Sequence, residues 1–563
     1  MVRLSYVFLV KAFQFKLKII FYKVSRTVDL DSDVIINNLC IKYPTMKTLF
    51  PFSSLIFLLI FSACGTVRTP PVSVQDDGKI TVTFVQINDV YEIAPMQGGK
   101  IGGVARVAAL KKQELAKNPN TFLVMAGDFL SPSVYNSLKY EGKRIRGRQM
   151  VESLNSAGLD FAVFGNHEFD IKENELQERI DESTFQWIAS NTIHKTQSGV
   201  APFQKTTSSG TENFPETYII NVEDQDGTKA KIGFIGLTLP FNKAEYVTYT
   251  DHFQVAEKLY AQLKDSVDAV VALTHLSVDE DSILAGRVPG LALIMGGHEH
   301  DMQFKKVGNI YITKAHANAK SAYVNSLTID VKNKNTSAVP ELRMIDSALP
   351  EDPATALVVK KWMDIGDTNF AALGFNSQRI IREKGEPLDG REEMIRSGKT
   401  NLTRIAVSAL EKAVPSADVA ILNSGSIRVD DIIQMPVTEY DIIRSLPYGG
   451  AIMEVDMKGS LLLRVLEAGR NNVGSGGFLQ YSSSVNYDSN TKSWTLKEIA
   501  IDPKKTYHVA LADFLMTGGE ANMDFLNKDN PDIIKIYPTP TLVSDPRSDS
   551  RLAIIKYMLE LGK

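Results

Sequence analysis

The chain has 563 residues, 44% of them hydrophobic and 23% charged, and this length exceeds what one hydrophobic core normally organises. Such a composition excludes a disordered, a collagen-like and a polytopic membrane protein. Lys and Arg total 62 and Asp and Glu total 66, a formal net charge of −4, which gives no electrostatic reason to bind a nucleic acid polymer.

The first feature along the chain is an apolar run at residues 49–63 that ends at a cysteine. The run is shorter than the ~20 residues of a membrane-spanning helix, and Pro51 interrupts it. Lys47 precedes it and small residues precede Cys64, a pattern typical of a secretory signal. The placement of Cys64 resembles the lipobox of bacterial lipoproteins, so we predict lipidation there. A plain secretory signal with an incidental cysteine is the alternative.

These features predict a protein of the bacterial cell envelope, held to a membrane by a lipid anchor on the periplasmic or outer-membrane face. Residues 1–63 would be an N-terminal extension and signal peptide, in which the signal itself starts at Met46. Residues 64–78 are rich in Pro, Ser and Asp and would form a lipidated, flexible tether.

From residue 80 onward, short apolar runs alternate with amphipathic segments. Strands are predicted at 80–87, 121–126, 161–164, 232–237, 269–273, 291–295 and 310–312, with helical periodicity in segments such as 104–115 and 149–157. Strands that are apolar almost throughout and alternate with helices predict sheets covered by other layers. We place this first domain at residues 79–345.

The pattern changes where prolines flank a helical segment at residues 350–369. We predict an interdomain helical linker at 346–369 and a second domain at 370–563, which again mixes strands and helices.

Polar side chains follow most of the strands predicted for the first domain. The carboxyl ends of strands line the ligand-binding crevice of layered α/β proteins, so these side chains should converge on one pocket. Asp after a strand is also common in turns and helix caps, and a single His is often a core residue. The whole set of carboxylate, amide and imidazole donors, however, suits divalent Zn, Mn, Fe or Co. The candidate residues are Asp89, Asp128, Asn166, His167, Asp170, His275, His298 and His300.

The order of these residues resembles the calcineurin-like metallophosphoesterase superfamily and, within it, the two-domain 5'-nucleotidase/UDP-sugar hydrolase family. The resemblance covers about residues 80–540, and it implies a four-layer α/β/β/α metallophosphoesterase domain followed by a separate α+β 5'-nucleotidase C-terminal domain. The matching motifs are Gly127-Asp128, Gly165-Asn166-His167-Glu168, His275 and Gly297-His298-Glu299-His300.

The resemblance also implies two divalent metal ions as cofactors. One would be held by Asp89 and His300, the other by Asn166, His275 and His298, with Asp128 bridging them. His167 and Asp170 match the catalytic dyad of the family.

The first motif departs from the family because Tyr91 stands where a metal-binding histidine is expected. A metal can lower the pKa of a phenol, so Tyr91 could bind as tyrosinate. Alternatively Tyr91 only packs, and water or Glu92 completes the coordination. We therefore expect the first metal ion to bind more weakly or to be a different metal.

Four motifs of the second half resemble the substrate-binding domain of the family. There, two aromatic rings sandwich the nucleobase, arginines and an asparagine contact phosphate or sugar, and an acid holds ribose hydroxyls. Stacking accepts any flat base, and the guanidinium fork suits phosphate oxygens. Each residue alone could instead be a core aromatic or a surface charge. Carried over by position, the substrate-binding residues are Arg396, Asn423, Arg428, Tyr448, Phe514 and Glu520.

The resemblance implies a hydrolase that removes the 5'-phosphate from nucleotides in nucleotide catabolism. A hydroxide between the two metal ions would attack phosphorus, His167 would assist the departing alkoxide, and the domains would rotate about residues 350–369. The alternatives are a UDP-sugar pyrophosphatase, a 2',3'-cyclic nucleotide phosphodiesterase and a thiosulfate-type hydrolase. A surface-anchored protein that binds nucleotide without turnover is a further alternative.

Overall fold

The structure is a computed structural model that describes residues 76–240 and 244–562. The predicted signal, Cys64 and residues 64–75 of the predicted tether lie outside the described residues, so these assignments stay predictions. Among the described residues, no helix is both long enough and apolar enough to cross a membrane. The residues described belong to one compact unit, Val74–Lys563.

The first domain alternates strands and helices as its sequence predicts. Its strands are β1 (Lys79–Ile87), β2 (Thr121–Ala126), β3 (Lys139–Tyr140), β4 (Lys143–Arg144), β5 (Phe161–Val163), β6 (Gln186–Trp187), β7 (Thr192–Thr196), β8 (Gly199–Ala201), β9 (Gln204–Thr207), β10 (Gly210–Asn213), β11 (Thr217–Glu223), β12 (Lys229–Thr238), β13 (Val247–Tyr249), β14 (Ala269–His275), β15 (Leu293–Gly296), β16 (Gln303–Val307), β17 (Ile310–Lys314), β18 (Ser321–Asp330) and β19 (Asn335–Met344). Its helices are α1 (Val104–Lys117), α2 (Arg148–Ala157), α3 (Glu173–Glu182), α4 (His252–Leu263) and α5 (Val278–Arg287).

Two six-stranded sheets form the centre of this domain, in the orders β19-β18-β1-β2-β5-β6 and β11-β12-β14-β15-β17-β16. Their facing sides are apolar: the ring of Phe234 on β12 lies 5.7 Å from that of Phe84 and 4.9 Å from that of Phe161. Helices α1 and α2 cover the outer side of the first sheet, and α4 and α5 that of the second. This confirms the predicted four-layer α/β/β/α arrangement.

The parallel strands fix where the site lies. β1, β2 and β5 run parallel in the first sheet, and β12, β14, β15 and β17 run parallel in the second. Because the carboxyl ends of neighbouring parallel strands share one edge, the loops that follow β1, β2, β5, β14 and β15 meet there. These loops carry the candidate metal ligands.

The predicted linker helix is present as α6 (Pro353–Ala372), with Asp352 as its N-cap. It packs on α1 and α2: Trp362 is fully buried and its indole N–H donates to Glu152 at 3.0 Å. Near its end, the ring of Phe370 contacts that of Tyr440 in the second domain, 5.9 Å between centroids. Because α6 is fixed to the first domain, a rotation between domains would have to pivot after Ala372. The rotation itself stays a prediction, as do the domain boundaries.

The second domain is built on a five-stranded sheet of order β26-β22-β30-β25-β31. Helices α8 and α11 cover one face of this sheet, and α10 covers the other. Its strands are β20 (Ile380–Arg382), β21 (Leu388–Asp389), β22 (Val419–Asn423), β23 (Ile432–Ile433), β24 (Val437–Thr438), β25 (Ile452–Lys458), β26 (Leu479–Tyr481), β27 (Val485–Asp488), β28 (Ser493–Leu496), β29 (Ile499–Ala500), β30 (Thr506–Ala512) and β31 (Ile533–Ile536). Its helices are α7 (Glu392–Ile395), α8 (Asn401–Ala413), α9 (Glu439–Ser445), α10 (Gly459–Asn471) and α11 (Ser550–Leu561).

Candidate metal centre and substrate cleft

Three of the candidate ligands sit on left-handed backbone directly after strands. Asp89 follows β1 with φ 53°, Asp128 follows β2 with φ 56°, and His298 follows β15 with φ 87°. Non-glycine residues rarely adopt this conformation, and they concentrate at functional sites. Because the chain turns sharply at these residues, their side chains lie at the edge of the sheets where the strands end.

Asp89, Asp128 and His275 form the centre of the site, with one ligand atom of each within 4.8 Å of the others. Both carboxylate oxygens of Asp128 have partners: Oδ2 lies 3.2 Å from His275 Nε2, and Oδ1 accepts the backbone N–H of His167 at 2.8 Å. Although burial opposes it, the Asp128 carboxylate raises the pKa of His275 to about 10. Burial raises the pKa of Asp89, and the charges of His275 and His300 only partly offset this effect.

The residues present fit divalent metal ions. Within the described part of the chain, Asp89 Oδ1 and Asn166 Oδ1 are buried with no hydrogen-bond partner, and His275 Nε2 has only the Asp128 carboxylate, 3.2 Å away. A buried polar atom without a hydrogen bond costs about 1–3 kcal/mol, which a bound cation would offset here. Their mixture of carboxylate, amide and imidazole is the donor set that Zn, Mn, Fe and Co accept.

The two histidines of the β15 loop flank this centre. His298 donates its backbone N–H to Asp89 Oδ2 at 3.0 Å, and its ring lies 5.4 Å from that of His275. Burial and the neighbouring His275 lower the pKa of His298 to about 3. His300 Nε2 lies 3.8 Å from Asp89 Oδ1.

Tyr91 projects into the same centre. Its hydroxyl donates to Asp128 Oδ2 at 3.3 Å and lies 3.1 Å from His300 Nε2. Burial, together with the carboxylates of Asp128 and Asp89, raises the pKa of Tyr91 well above its usual range. Glu92, one of the alternatives for completing the coordination, is engaged elsewhere: its carboxylate accepts a 2.6 Å hydrogen bond from Tyr440 of the second domain.

His167 and Asp170 are paired as the sequence predicts. His167 Nδ1 lies 2.6 Å from Asp170 Oδ2, and the side chain of His167 keeps 22% exposure on the cleft side of the metal centre. Burial opposes protonation, but Asp128 and Asp170 together raise the pKa of His167. The imidazole is therefore held in one orientation and biased toward its acid form.

Sequence analysis missed the role of Glu168. Its buried carboxylate accepts backbone N–H groups from both metal-binding loops and so fixes them to each other; the donors are Asp128, Phe129, Leu130 and Gly165. Gly165 is required beside it, because a Cβ there would lie 2.0 Å from Asp128 Oδ1. The sequence signal that could have indicated this role is the presence of Glu168 directly after two candidate metal-site residues, Asn166 and His167.

Lys314 was also missed. It is fully buried at the end of β17, and its ammonium donates to the carbonyls of Leu276 at 2.6 Å and Gly297 at 2.8 Å. Asp281 and Glu299 neutralise it at 2.9 and 2.5 Å. Lys314 thus holds the loop after His275 against the loop of His298 and His300. The sequence signal that could have indicated its role is a lysine at the end of an apolar strand.

Among the substrate residues predicted for the second domain, Asn423 donates to Glu520 Oε2 at 2.8 Å. Arg428 lines a small crevice together with Tyr91, so it is brought to the metal centre.

The two aromatic residues are exposed at the same end of the second sheet. Tyr448 is 64% and Phe514 45% exposed. Tyr448 precedes β25 and Phe514 follows β30, and the two strands pair there through Ile452 and Ala512. Exposed rings at one sheet end are available to stack on a flat ligand.

Arg396 is partly engaged, since its guanidinium contacts Glu392 at 2.5 Å. Its Nε is buried and has no hydrogen-bond partner in the part of the chain that the structure describes. Burial lowers the pKa of Arg396 without removing its charge.

Two family models match the chain: calcineurin-like phosphoesterase over residues 82–302, and 5'-nucleotidase, C-terminal domain, over residues 381–527. The trifunctional nucleotide phosphoesterase protein YfkN of Bacillus subtilis (strain 168) is 24% identical over 498 residues, which cover 79% of this chain and 32% of that longer protein. The snake venom 5'-nucleotidase of Naja atra is 25% identical over 508 residues, covering 79% of this chain and 91% of the relative.

Among solved structures, that of a 5'-nucleotidase precursor from Thermus thermophilus is similar, with a TM-score of 0.61 and 22% sequence identity. The alignment covers 86% of this chain and 97% of that one. At this identity the likeness concerns the fold, which therefore extends over both domains.

Proposed function

We infer that this chain, which matches the models of the calcineurin-like phosphoesterases and of the 5'-nucleotidase C-terminal domain, is an enzyme that hydrolyses phosphoric esters. We propose that its reaction removes the 5'-phosphate from nucleotides with the help of two divalent metal ions. The observation that carries the proposal is the buried cluster of Asp89, Asp128 and His275, in which Asp89 Oδ1 has no hydrogen-bond partner among the described residues, together with the His167–Asp170 pair beside Asp128.

In this proposal Asp128 is shared between the two ions. Bound there, the ions would supply Lewis acidity to the phosphoryl oxygens and lower the pKa of a water molecule. One ion would be held by Asp89 and His300, the other by Asn166, His275 and His298. Tyr91 would remain a neutral phenol that hydrogen-bonds Asp128, which leaves the first ion with one nitrogen ligand fewer than the family pattern.

His167 is the proton donor of the proposed reaction. Because Asp170 engages Nδ1, the other ring nitrogen is left for the substrate, where it can donate to the phosphoryl group and then to the departing 5'-oxygen. The raised pKa of His167 favours the form that carries this proton. Arg428, at the crevice beside Tyr91, would bind phosphate oxygens as a guanidinium fork.

The nucleoside would lie on the second domain. Tyr448 and Phe514 offer two exposed rings for the base, and the Glu520 carboxylate can accept hydrogen bonds from ribose hydroxyls beside Asn423. Binding the two ends of one substrate on two domains orients the phosphate relative to His167.

A phosphate-release panel tests the proposal. Metal-stripped full-length protein, alone and with Mn²⁺, Zn²⁺ or Co²⁺ restored, is assayed on nucleoside 5'-monophosphates, UDP-glucose and 2',3'-cyclic nucleotides. We expect metal-dependent release that is greatest on the 5'-monophosphates. A preference for UDP-glucose or the cyclic nucleotides would replace the proposed substrate, and nucleotide binding without any release would replace the enzyme by a binding protein.

A variant at the shared ligand tests the two-ion arrangement. Asp128→Ala should lower bound metal at both positions, as measured by elemental analysis. Unchanged stoichiometry would contradict sharing. Asp160→Ala is the matched control, since Asp160 pairs with Lys111 at 2.7 Å away from the metal centre.

We propose in addition that the protein is anchored in the cell envelope through a lipid on Cys64, which the sequence pattern around Cys64 supports. Cys64→Ser should abolish incorporation of labelled fatty acid and move the protein from the membrane to the soluble fraction. Membrane association that survives this substitution would contradict the anchor.

A further inference from the structure

The second domain reaches the candidate metal centre through Asp430. Asp430 Oδ2 lies 2.6 Å from His300 Nδ1, with side-chain exposures of 27% and 25%. The other ring nitrogen of His300, Nε2, faces the centre, 3.1 Å from the Tyr91 hydroxyl and 3.8 Å from Asp89 Oδ1. One histidine of the first domain is thus held on one side by the second domain and presented on the other to the candidate ligands.

Asp430 is itself fixed in place. It has a left-handed backbone, φ 39°, and accepts the backbone N–H of Glu392 at 2.5 Å through Oδ1. Among residues other than glycine, aspartate tolerates this conformation well. The hydrogen bond from Glu392 holds the carboxylate toward His300, so Asp430 is not a freely rotating surface acid.

Two further contacts join the domains close by. Asp431 pairs with Lys320 of the first domain at 2.7 Å, and Tyr440 donates to Glu92 at 2.6 Å. Neither contact touches His300. Variants of these two contacts therefore report the effect of domain docking alone, apart from the effect of Asp430 on His300.

We propose that Asp430 is a positioning residue for the metal ligand His300, and that metal binding in the first domain is thereby linked to docking of the second. The inference rests on the metal centre proposed above. A carboxylate that accepts the Nδ1–H of a histidine fixes its tautomer and ring orientation and leaves Nε2 free to bind a metal.

The link works in both directions because coupling between two equilibria is reciprocal. When the second domain moves away, His300 loses its partner and holds the ion more weakly. When the ion is lost, His300 is no longer fixed from the metal side, and the contact with Asp430 contributes less to docking. Docking of the second domain would in this way depend on whether the metal ion is bound in the first domain.

Metal affinity of the full chain tests the proposal. Metal-stripped Asp430→Ala and Asp430→Asn are titrated with Zn²⁺ against a chelating dye. We expect one of two ions to bind about 10–100-fold more weakly in Asp430→Ala, the usual cost of losing the partner of a metal-bound histidine, with Asp430→Asn in between. The Co²⁺-loaded protein should also show an altered visible absorption spectrum.

Asp431→Asn is the matched control, since it removes the neighbouring carboxylate and its interdomain pair without touching His300. It should leave both affinities within about 2-fold of the starting protein, and the Co²⁺ spectrum unchanged. Equal losses in Asp430→Ala and Asp431→Asn would overturn the proposal, because docking alone would then explain both. Thermal unfolding confirms that each variant is folded.

A double-mutant cycle gives a second readout. In a His300→Ala background, Asp430→Ala should cause no further loss of affinity, because residues that act through one contact are not additive. Additive losses would overturn the proposal. If the starting protein binds two ions and releases phosphate from nucleotides while Asp430→Ala binds them equally well, only this inference fails; a starting protein that binds no metal overturns the proposed function as well.

Discussion

The hydroxyl of Tyr91 donates a hydrogen bond to Asp128 Oδ2 at 3.3 Å, at the position where the family pattern has a metal-binding imidazole. Replacing Tyr91 by histidine should therefore add a nitrogen ligand. We expect Tyr91→His to bind the weaker of the two ions about 10-fold or more tightly, as measured by titration of the metal-stripped protein.

Tyr91→Phe is the control for that substitution, because it keeps the ring and removes only the hydroxyl. It should not tighten metal binding. Equal affinities in the starting protein and in Tyr91→His would mean that residue 91 does not face the first ion.

His167 should matter for turnover and not for metal content. Its ring is held by Asp170 at 2.6 Å, and only its backbone N–H contacts Asp128. We expect His167→Ala to keep both ions by elemental analysis and to lose about 10²–10⁴-fold in kcat, the usual contribution of a positioned acid. Near-normal phosphate release by this variant would exclude His167 as the proton donor.

The pH profile should depend on Asp170. The carboxylates of Asp128 and Asp170 raise the pKa of His167, so its acid form persists above the ordinary range and is lost as pH rises through the raised pKa. Asp170→Asn removes one of these charges and lowers that pKa. The alkaline limb of kcat against pH should then move to lower pH. If the alkaline limb does not move in this variant, the limb reports the titration of a group other than His167.

Removing an exposed ring should cost affinity for nucleotides in particular. Stacking on one aromatic residue contributes about 1–3 kcal/mol per base, so Tyr448→Ala and Phe514→Ala should each raise KM for a nucleoside 5'-monophosphate by the corresponding factor. Hydrolysis of a small aryl phosphate, assayed in parallel, should change less. Equal losses on both substrates would remove the stacking argument.

Lys314 should be a major determinant of stability. Removing one partner from a buried ion pair typically costs about 3–5 kcal/mol, because Asp281 is left buried without its cation. We expect Lys314→Met to lower the free energy of unfolding in urea by this amount and to weaken metal binding through the loops of His275 and His298.

Lys305→Met is its matched control, since Lys305 pairs with the exposed Asp279 at 3.2 Å on the same side of the domain. An exposed pair contributes about 0–1 kcal/mol, so this variant should be almost unchanged. Similar losses in the two variants would show that Lys314 has no special role.

Much of the first domain could be predicted from the sequence. The strand at 121–126 is found at those residues as β2, and the strand at 80–87 gains only Lys79. Period-two and continuous apolar runs are local properties, so they specify strands without knowledge of the fold. Because parallel strands place their carboxyl ends at one edge, the same pattern also predicts that Asp89, Asp128 and His275 converge, as they do.

Contacts between distant segments were decided by the tertiary structure alone. Sequence patterns left open whether Tyr91, Glu92 or water completes the first site, and the docked second domain draws Glu92 away by engaging its carboxylate through Tyr440. Likewise, Asp430 meets His300 only because the two domains dock in one orientation. Local propensity and periodicity determine which elements form, but the free energy of packing whole surfaces determines which side chains of different domains meet.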